Sequence, residues 1–329
     1  MKKIFTLSLS VFLIFKIGVC QTEGYHGKPI AEIFSDFHLN LNDTLQKSGF
    51  AINRAYLGYK FMPDDHFSGT IIVNIGSPDE LSSGSQPRRY AFFREASLSY
   101  TDEKLSVYLG ITGTRLFDFQ QKFWGKRYIA NTYQSINGYG YVADLGVVID
   151  YKFSDEIKAD VSLMNGEGYS NIQLDNSLKA SMGFTFTSQG GAAARIYEDL
   201  IKVHGLWQNT FLVFVGIKKE YGFFGAEFTH KTNLDVEAGH NAYGFSATSG
   251  LSLTHSVELF ARYDYSTSSK TSEEEIPWNY HLDGKFLITG IQKTFSSNVK
   301  VALDYQGHFP YSTENQRSSL IFINALFSF

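Results

Sequence analysis

The 329-residue chain has a single cysteine, Cys20, no long block of like charge, and no apolar run of membrane-helix length after its first residues. One cysteine cannot build a disulfide framework. The absence of any 18-residue apolar window past the amino terminus excludes helical membrane spans. A formal net charge of −4 without a basic patch gives no reason to expect a nucleic-acid partner. With 43% hydrophobic and 19% charged residues the chain is too apolar for intrinsic disorder. Catalytic signatures are also missing. The 9 histidines are scattered, and neither a Gly-x-Ser-x-Gly elbow nor a His-Glu-x-x-His helix occurs. Gly138 and Gly140 lack the strand-to-helix context of a phosphate loop. The run Glu273, Glu274, Glu275 lacks further oxygen ligands at calcium-loop spacing and reads as a solvated loop. No enzyme and no cofactor is expected.

What the chain does have is aromatic residues: Tyr 20, Phe 29 and Trp 3 make up 16% of it. Such side chains suit pleated strands, so the expected class is all-β. Residues 1–20 read as a cleaved signal peptide, with Lys2 and Lys3 before the apolar run Ile4 to Phe15 and small residues near Cys20. Lipidation of Cys20 is the rival reading, disfavoured by the bulky Val19 beside it. Cleavage removes Lys2, Lys3 and Lys16 and no acid, leaving residues 21–329 three charges more negative. No amino-terminal plug domain of the length that energised transporters need is expected.

Residues 21–329 alternate with period two. Ala31, Ile33, Phe37, Leu39 and Leu41 oppose Glu32, Asp36, His38 and Asn40. The pattern recurs in Leu145, Val147, Ile149, Tyr151 and Phe153 against Asp150 and Lys152, and in Ile157, Ala159, Val161 and Leu163 against Lys158 and Asp160. It returns in Val257, Leu259, Ala261, Tyr263 and Tyr265 against Glu258, Arg262 and Asp264, and in Val299, Val301, Leu303, Tyr305 and Phe309 against Lys300, Asp304, Gln306 and His308. One face is greasy and the other charged, which fits a soluble sandwich or a membrane barrel.

The connections separate these two. Strands are predicted to begin near Ile30, Gly49, Phe67, Ala91, Leu105, Ala143, Ile157, Leu178, Ala192, Thr210, Phe223, Ala242, Ser256, Lys285, Val299 and Arg317, about 16 in all. Alternate connections are short, as at Met62 to His66 and Thr254 to His255. Nearly all of the others are long, including Gly113 to Val142 and Ser266 to Gly284; His204 to Asn209 is the shortest of that set. Short turns on one rim and long loops on the other mark an outer-membrane antiparallel β-barrel. The weakest strand runs from Ala192 to Lys202, and a helical insert there would lower the count. The final strand is the most specific local signal: Ile321, Ile323, Ala325, Phe327 and Phe329 form an unbroken apolar face ending on a terminal aromatic residue. That pattern resembles the sorting signal of outer-membrane barrels.

Several blocks resemble the phosphate-selective porin O and P family. They are Gly49-Phe50-Ala51-Ile52-Asn53-Arg54-Ala55-Tyr56-Leu57 followed by Phe67-Ser68-Gly69-Thr70-Ile71, Arg94-Glu95-Ala96-Ser97-Leu98 leading to Tyr108-Leu109-Gly110, Lys126-Arg127-Tyr128-Ile129, and Met164-Asn165-Gly166-Glu167-Gly168. The resemblance spans residues 49–186 and is weaker beyond. It implies a 16-stranded porin of the Gram-negative outer membrane, commonly trimeric, that conducts small solutes and favours anions.

The segment Gly113 to Tyr141 carries Arg115, Lys122, Lys126 and Arg127 against Asp118 alone. Its position after the fifth strand resembles that of the loop that narrows general porins. A cationic ring at a narrow point raises the local anion concentration, so these four are the candidate constriction and anion-selectivity residues. The alternative places them at the outer rim, against lipopolysaccharide phosphates or water. The rest of the lumen wall reads as mixed, with Arg54, Lys60, Lys152, Lys158, Lys179, Arg262 and Lys300 among as many acids. Trp124, Trp207 and Trp278 fall in or beside predicted loops and read as an interfacial girdle, with sugar stacking as the alternative. The expected function is passive diffusion of small hydrophilic solutes, anions or phosphate among them, by a barrel set in lipid and lipopolysaccharide, with a homotrimer as the expected assembly. The second reading is a non-conducting barrel serving a surface assembly or adhesion complex.

Overall fold

The computed structural model describes residues 26–42, 48–76, 90–271, 275–312 and 317–329. The predicted signal peptide with Cys20, and Glu273 and Glu274 of the acidic run, lie outside them. Sixteen antiparallel strands close into one barrel. They are β1 His26–Asn40, β2 Gly49–Met62, β3 Phe67–Gly76, β4 Tyr90–Thr101, β5 Leu105–Gly113, β6 Ala143–Lys152, β7 Ile157–Met164, β8 Lys179–Thr187, β9 Ala192–Val203, β10 Leu206–Lys219, β11 Gly222–Thr232, β12 Ala242–Thr254, β13 Val257–Ser268, β14 Gly284–Ser296, β15 Val299–Pro310 and β16 Ser318–Ser328. Each strand pairs with its neighbours in sequence, and β1 pairs with β16. The carboxy-terminal residue helps close the ring, since the Phe329 amide donates to the Ala31 carbonyl at 2.7 Å. A closed ring leaves no strand edge unpaired, the condition for crossing lipid as a sheet.

The greasy faces read from the sequence all point outward. Leu57, Ile71, Leu98, Leu109, Val215 and Leu303 are each at least half exposed on the barrel exterior. The alternating positions Asp36, Arg54, Asp160, Arg195, Arg262 and Asp304 are buried inside. An apolar exterior around a polar interior is the inverse of a soluble domain and makes this a membrane-spanning barrel. No helix among the described residues is long and apolar enough to cross a membrane.

The doubtful strand is a strand. β9 pairs along its length with β8 and β10, and Ala193, Arg195, Tyr197 and Ile201 are buried in the lumen. Glu198, on its outer face, accepts a hydrogen bond from Asn209 at 2.8 Å. The connection expected from His204 to Asn209 is shorter: β9 and β10 meet in the two-residue turn His204-Gly205, both at positive φ (48° and 88°). Such a turn matches the twist of the strands it joins, and glycine takes its second position without strain. Trp207 is half exposed at the loop rim, where a girdle residue would stand, whereas the girdle expectation fails for Trp124, 3% exposed inside the barrel, and for Trp278, stacked on His240 among the loops. The apolar partners supplied by the wall outweigh an interfacial position for the Trp124 indole.

Two register shifts matter for the lumen. One, between Phe34 and Ser35, sets the pair opposite Arg54 and Ile52 and leaves Asn53 extra on β2; the other, between Ile72 and Val73, leaves Arg94 extra on β4. A bulge of this kind re-aims a side chain that strict alternation would send to the other face. Asn53 thereby donates to Asp36 at 2.7 Å, and Arg94 reaches the Val142 carbonyl.

Candidate constriction in the barrel lumen

Residues 114–142, between β5 and β6, lie inside the barrel. Thr114 and Val142 close the base of the segment, with the Thr114 amide donating to the Val142 carbonyl and its hydroxyl to the Tyr141 carbonyl at 2.7 Å. Helix α1, Arg115–Trp124, follows at once and ends on Gly125 in the left-handed conformation (φ 67°), whose amide bonds the Gln121 carbonyl. Glycine suits that cap because it carries no Cβ. A single-turn helix α2 spans Tyr133–Ile136.

The buried face of α1 is Leu116, Phe117, Gln120, Phe123 and Trp124. It meets aromatic side chains that the strands turn inward. The Phe123 ring packs edge-on against Phe214 (4.8 Å) and Phe223 (5.7 Å), and Trp124 against Phe260 (6.0 Å). Phe123 fits over a notch formed by Gly216 and Gly225, which face each other across β10 and β11. A Cβ at either glycine would come within 2.6–2.7 Å of the Phe123 ring.

A chain crossing a lumen has carbonyls without ladder partners, and these need donors. The wall supplies them from basic and amide side chains. Arg195 donates to the Arg115 carbonyl (2.9 Å), Lys218 to Phe123 (3.3 Å), Gln306 to Ile129 (3.3 Å) and Lys231 to Tyr139 (2.9 Å), while Arg262 donates to Asn131. Side chains add further ties. Arg115 grips Asp150 with two bonds (2.8 and 2.7 Å), Tyr128 donates to Gln292 (2.8 Å), and Gln134 bridges to Glu227 and Thr229. Lys126 pairs with Glu258 beneath the rings of Phe223 and Phe260. Burial makes the Lys126 ammonium easier to deprotonate than usual, and Glu258 opposes that shift. Burial pushes the phenols of Tyr128, Tyr133 and Tyr139 up, so they remain neutral donors.

The candidate residues therefore separate by their surroundings. Arg115 faces Asp150 and Asp118, Lys126 faces Glu258, and Lys122 is largely exposed with Asp118 at 3.9 Å. Of the wall residues, Arg262 is held by both oxygens of Asp264 (2.8 and 2.6 Å). Lys152 pairs with Asp155 beside the short turn that also leads to Lys158, and Lys300 lies in the lumen toward the same rim. Arg127 differs. It projects from the segment toward β1, β2 and β4, with its guanidinium 5.7 Å from the Tyr56 ring centre. Arg54 and Arg94 stand close enough for their fields to act on it, as do Glu32 and Tyr56. Burial, and the two neighbouring cations, ease deprotonation of Arg127, but an arginine so shifted still carries its charge at neutral pH. Arg54 also donates to the Tyr56 hydroxyl (3.2 Å) and to the Asn131 side chain (3.3 Å), tying the segment to β2.

Three guanidiniums thus converge between the segment and the β1–β4 wall. Strand parity finds Arg54, and the segment's composition finds Arg127. Arg94 is missed because only the bulge on β4 brings it inside, and no local sequence signal marks that bulge.

No protein-family description and no curated protein matches the chain by sequence. Solved structures do match by shape. Salmonella typhi OmpF, solved with daunomycin, has a TM-score of 0.70 at 12% identity, over 93% of this chain and 98% of that one. The outer-membrane-expressed OmpT of Vibrio cholerae has 0.65 at 12%, over 94% and 99%. An anion-selective porin from Comamonas acidovorans has 0.63 at 10%, over 93% and 100%. At these identities the likeness establishes the architecture alone: the sixteen-stranded barrel of this chain shares the fold of these outer-membrane proteins, porins among them.

Proposed function

We propose that the protein is a porin of the Gram-negative outer membrane, passing small hydrophilic solutes by diffusion and favouring anions. The carrying observation is the cluster of Arg54, Arg94 and Arg127, with Glu32 as the nearby acid acting on it. In a narrow passage with low-dielectric walls, like charges raise the local concentration of counter-ions and repel co-ions. Arg115, Lys126, Arg195, Lys218, Lys231 and Arg262 have carboxylate or carbonyl partners that fasten the segment, so their contribution to the field in the passage is smaller. The sequence blocks resembling the phosphate-selective porin O and P family favour an inorganic or carboxylate anion among the candidates, phosphate included. The Vibrio cholerae OmpT solved in a trimer form makes a homotrimer in lipid and lipopolysaccharide the assembly to expect.

The test is solute flux into proteoliposomes holding the purified barrel, comparing an anion with a neutral solute of equal size. The reading requires faster entry of the anion, and a loss of that preference when Arg54, Arg94 and Arg127 are all changed to Gln. Equal entry in the unaltered protein would defeat it.

One observation favours a second reading, a plugged barrel serving a surface assembly. The segment's apolar side chains and the inward rings of the wall form one buried core within the lumen, including Phe117, Phe123, Trp124, Tyr197, Phe214 and Phe260. A plugged barrel would give no flux of either solute until that core is loosened.

A further inference from the structure

On the long-loop side of the inward segment lies a cavity of about 430 Å³, between α2, the top of β13 to β15, and the loop residues 233–241 and 275–283. That volume falls within the roughly 300–1,000 Å³ of small-molecule sites. Its apolar side is made by Trp278, Phe286, Ile136 and Leu282. Trp278 is fixed in place: His240 stacks on it at 4.4 Å with the rings 4° from parallel, and its indole N–H donates to the Asn241 carbonyl at 3.0 Å. The polar lining is short and uncharged in character, from Asn137, Ser266, Asn279 and His308.

Of the three charged residues at this cavity, Asp264 and Lys285 are committed elsewhere. Asp264 is spent on Arg262 through two bonds. Lys285 pairs across the sheet with Tyr265 and Phe309, which places it on the outer face of the barrel. Asp235 stands exposed at the rim. Among the described residues no lysine or arginine side chain faces the cavity to hold an anion, in contrast to the arginine cluster below. A rigid aromatic surface beside amide, hydroxyl and imidazole groups matches a ligand with an apolar C–H face and a girdle of hydroxyls.

We propose that this cavity is a binding subsite for a neutral pyranoside, a mono- or disaccharide whose ring face lies on Trp278 and Phe286 and whose hydroxyls bond Asn137, Ser266, Asn279 and His308. The proposal goes beyond the anion passage and requires only the folded barrel, so its test does not depend on conduction.

The experiment is saturation-transfer NMR of maltose with the full-length barrel in a sugar-free amine-oxide detergent. Two variants act in different ways: Trp278→Ala removes the stacking surface, and Ile136→Trp fills the cavity from an exposed position on α2 without touching the Trp278 contacts. Heat-modifiable gel mobility checks that each has folded. The expected result is transfer to the sugar ring protons in the unaltered protein, weakened at least about tenfold in both variants and not displaced by inorganic phosphate. Absent transfer in the unaltered protein, transfer surviving in either variant, or displacement by phosphate would overturn the proposal.

Discussion

Phe123→Ala should release the inward segment while leaving the barrel intact. The ring is 7% exposed and contacts Phe119, Phe214 and Phe223 over the Gly216 and Gly225 notch. Truncating a buried phenylalanine costs about 3–5 kcal/mol. The barrel is held by sixteen strand pairings to which Phe123 contributes nothing, so the loss falls on the docking of the segment. At tenfold per 1.4 kcal/mol, the displaced population rises by about 10² to 4 × 10³. Trypsin reads this directly, because Lys126 is buried and Arg127 half-buried against the wall when the segment is docked. When reclosing is faster than cleavage, the cleavage rate follows the open population. Cleavage after Lys126 and Arg127 should accelerate by the same factor with heat-modifiable gel mobility unchanged, and single-channel conductance should rise. An unchanged cleavage rate at these two sites would refute the claim that this core holds the segment.

Gly225→Val should mimic that release, because its Cβ would sit 2.7 Å from the Phe123 ring, whereas Gly69→Val, whose Cβ meets only the Ser97 carbonyl at 4.0 Å, should not alter cleavage. Val301 pairs with Ala325 on the lipid face, so Val301→Lys should destabilise by about 2–4 kcal/mol in urea unfolding if it sits near the bilayer midplane; Lys300→Val should chiefly change conductance. Arg115→Gln and Asp150→Asn should each weaken segment docking, and a double-mutant cycle on trypsin protection should return a coupling of about 0.5–3 kcal/mol, since the two share one bidentate contact. Additivity within about 0.5 kcal/mol would show the contact to be idle.

Much of the fold is legible because a barrel wall obeys one local rule. Alternation assigns Val301 and Lys300 to opposite faces with no knowledge of partners, and the short turns order the strands. The rule fails where something interrupts it. The β4 bulge inverts the parity of Arg94, and His204-Gly205 ties two strands tightly on a rim where long loops prevail. Site chemistry is less legible for a different reason. Basic residues in the segment and wall look alike in sequence, but Arg195, Lys218, Lys231 and Arg262 serve the carbonyls of a chain that crosses the lumen, and Lys126 serves Glu258. Which cation is left to act on solutes depends on where each long-range partner stands, and single-strand patterning carries no such information. Trp124 shows the same limit, because an indole beside a loop reads as a girdle residue until Phe223 and Phe260 are seen to enclose it.

The central claim is that the passage beside Arg54, Arg94 and Arg127 carries solutes and is selective by charge. Its most direct test is the zero-current potential of the purified barrel in a planar bilayer under a potassium chloride gradient, before and after Arg94→Glu with Arg127→Glu. The account predicts a potential of the sign set by chloride in the unaltered protein, and a reversed sign in the double variant. A cation-directed potential in the unaltered protein, or one that the double change leaves as it was, would contradict it.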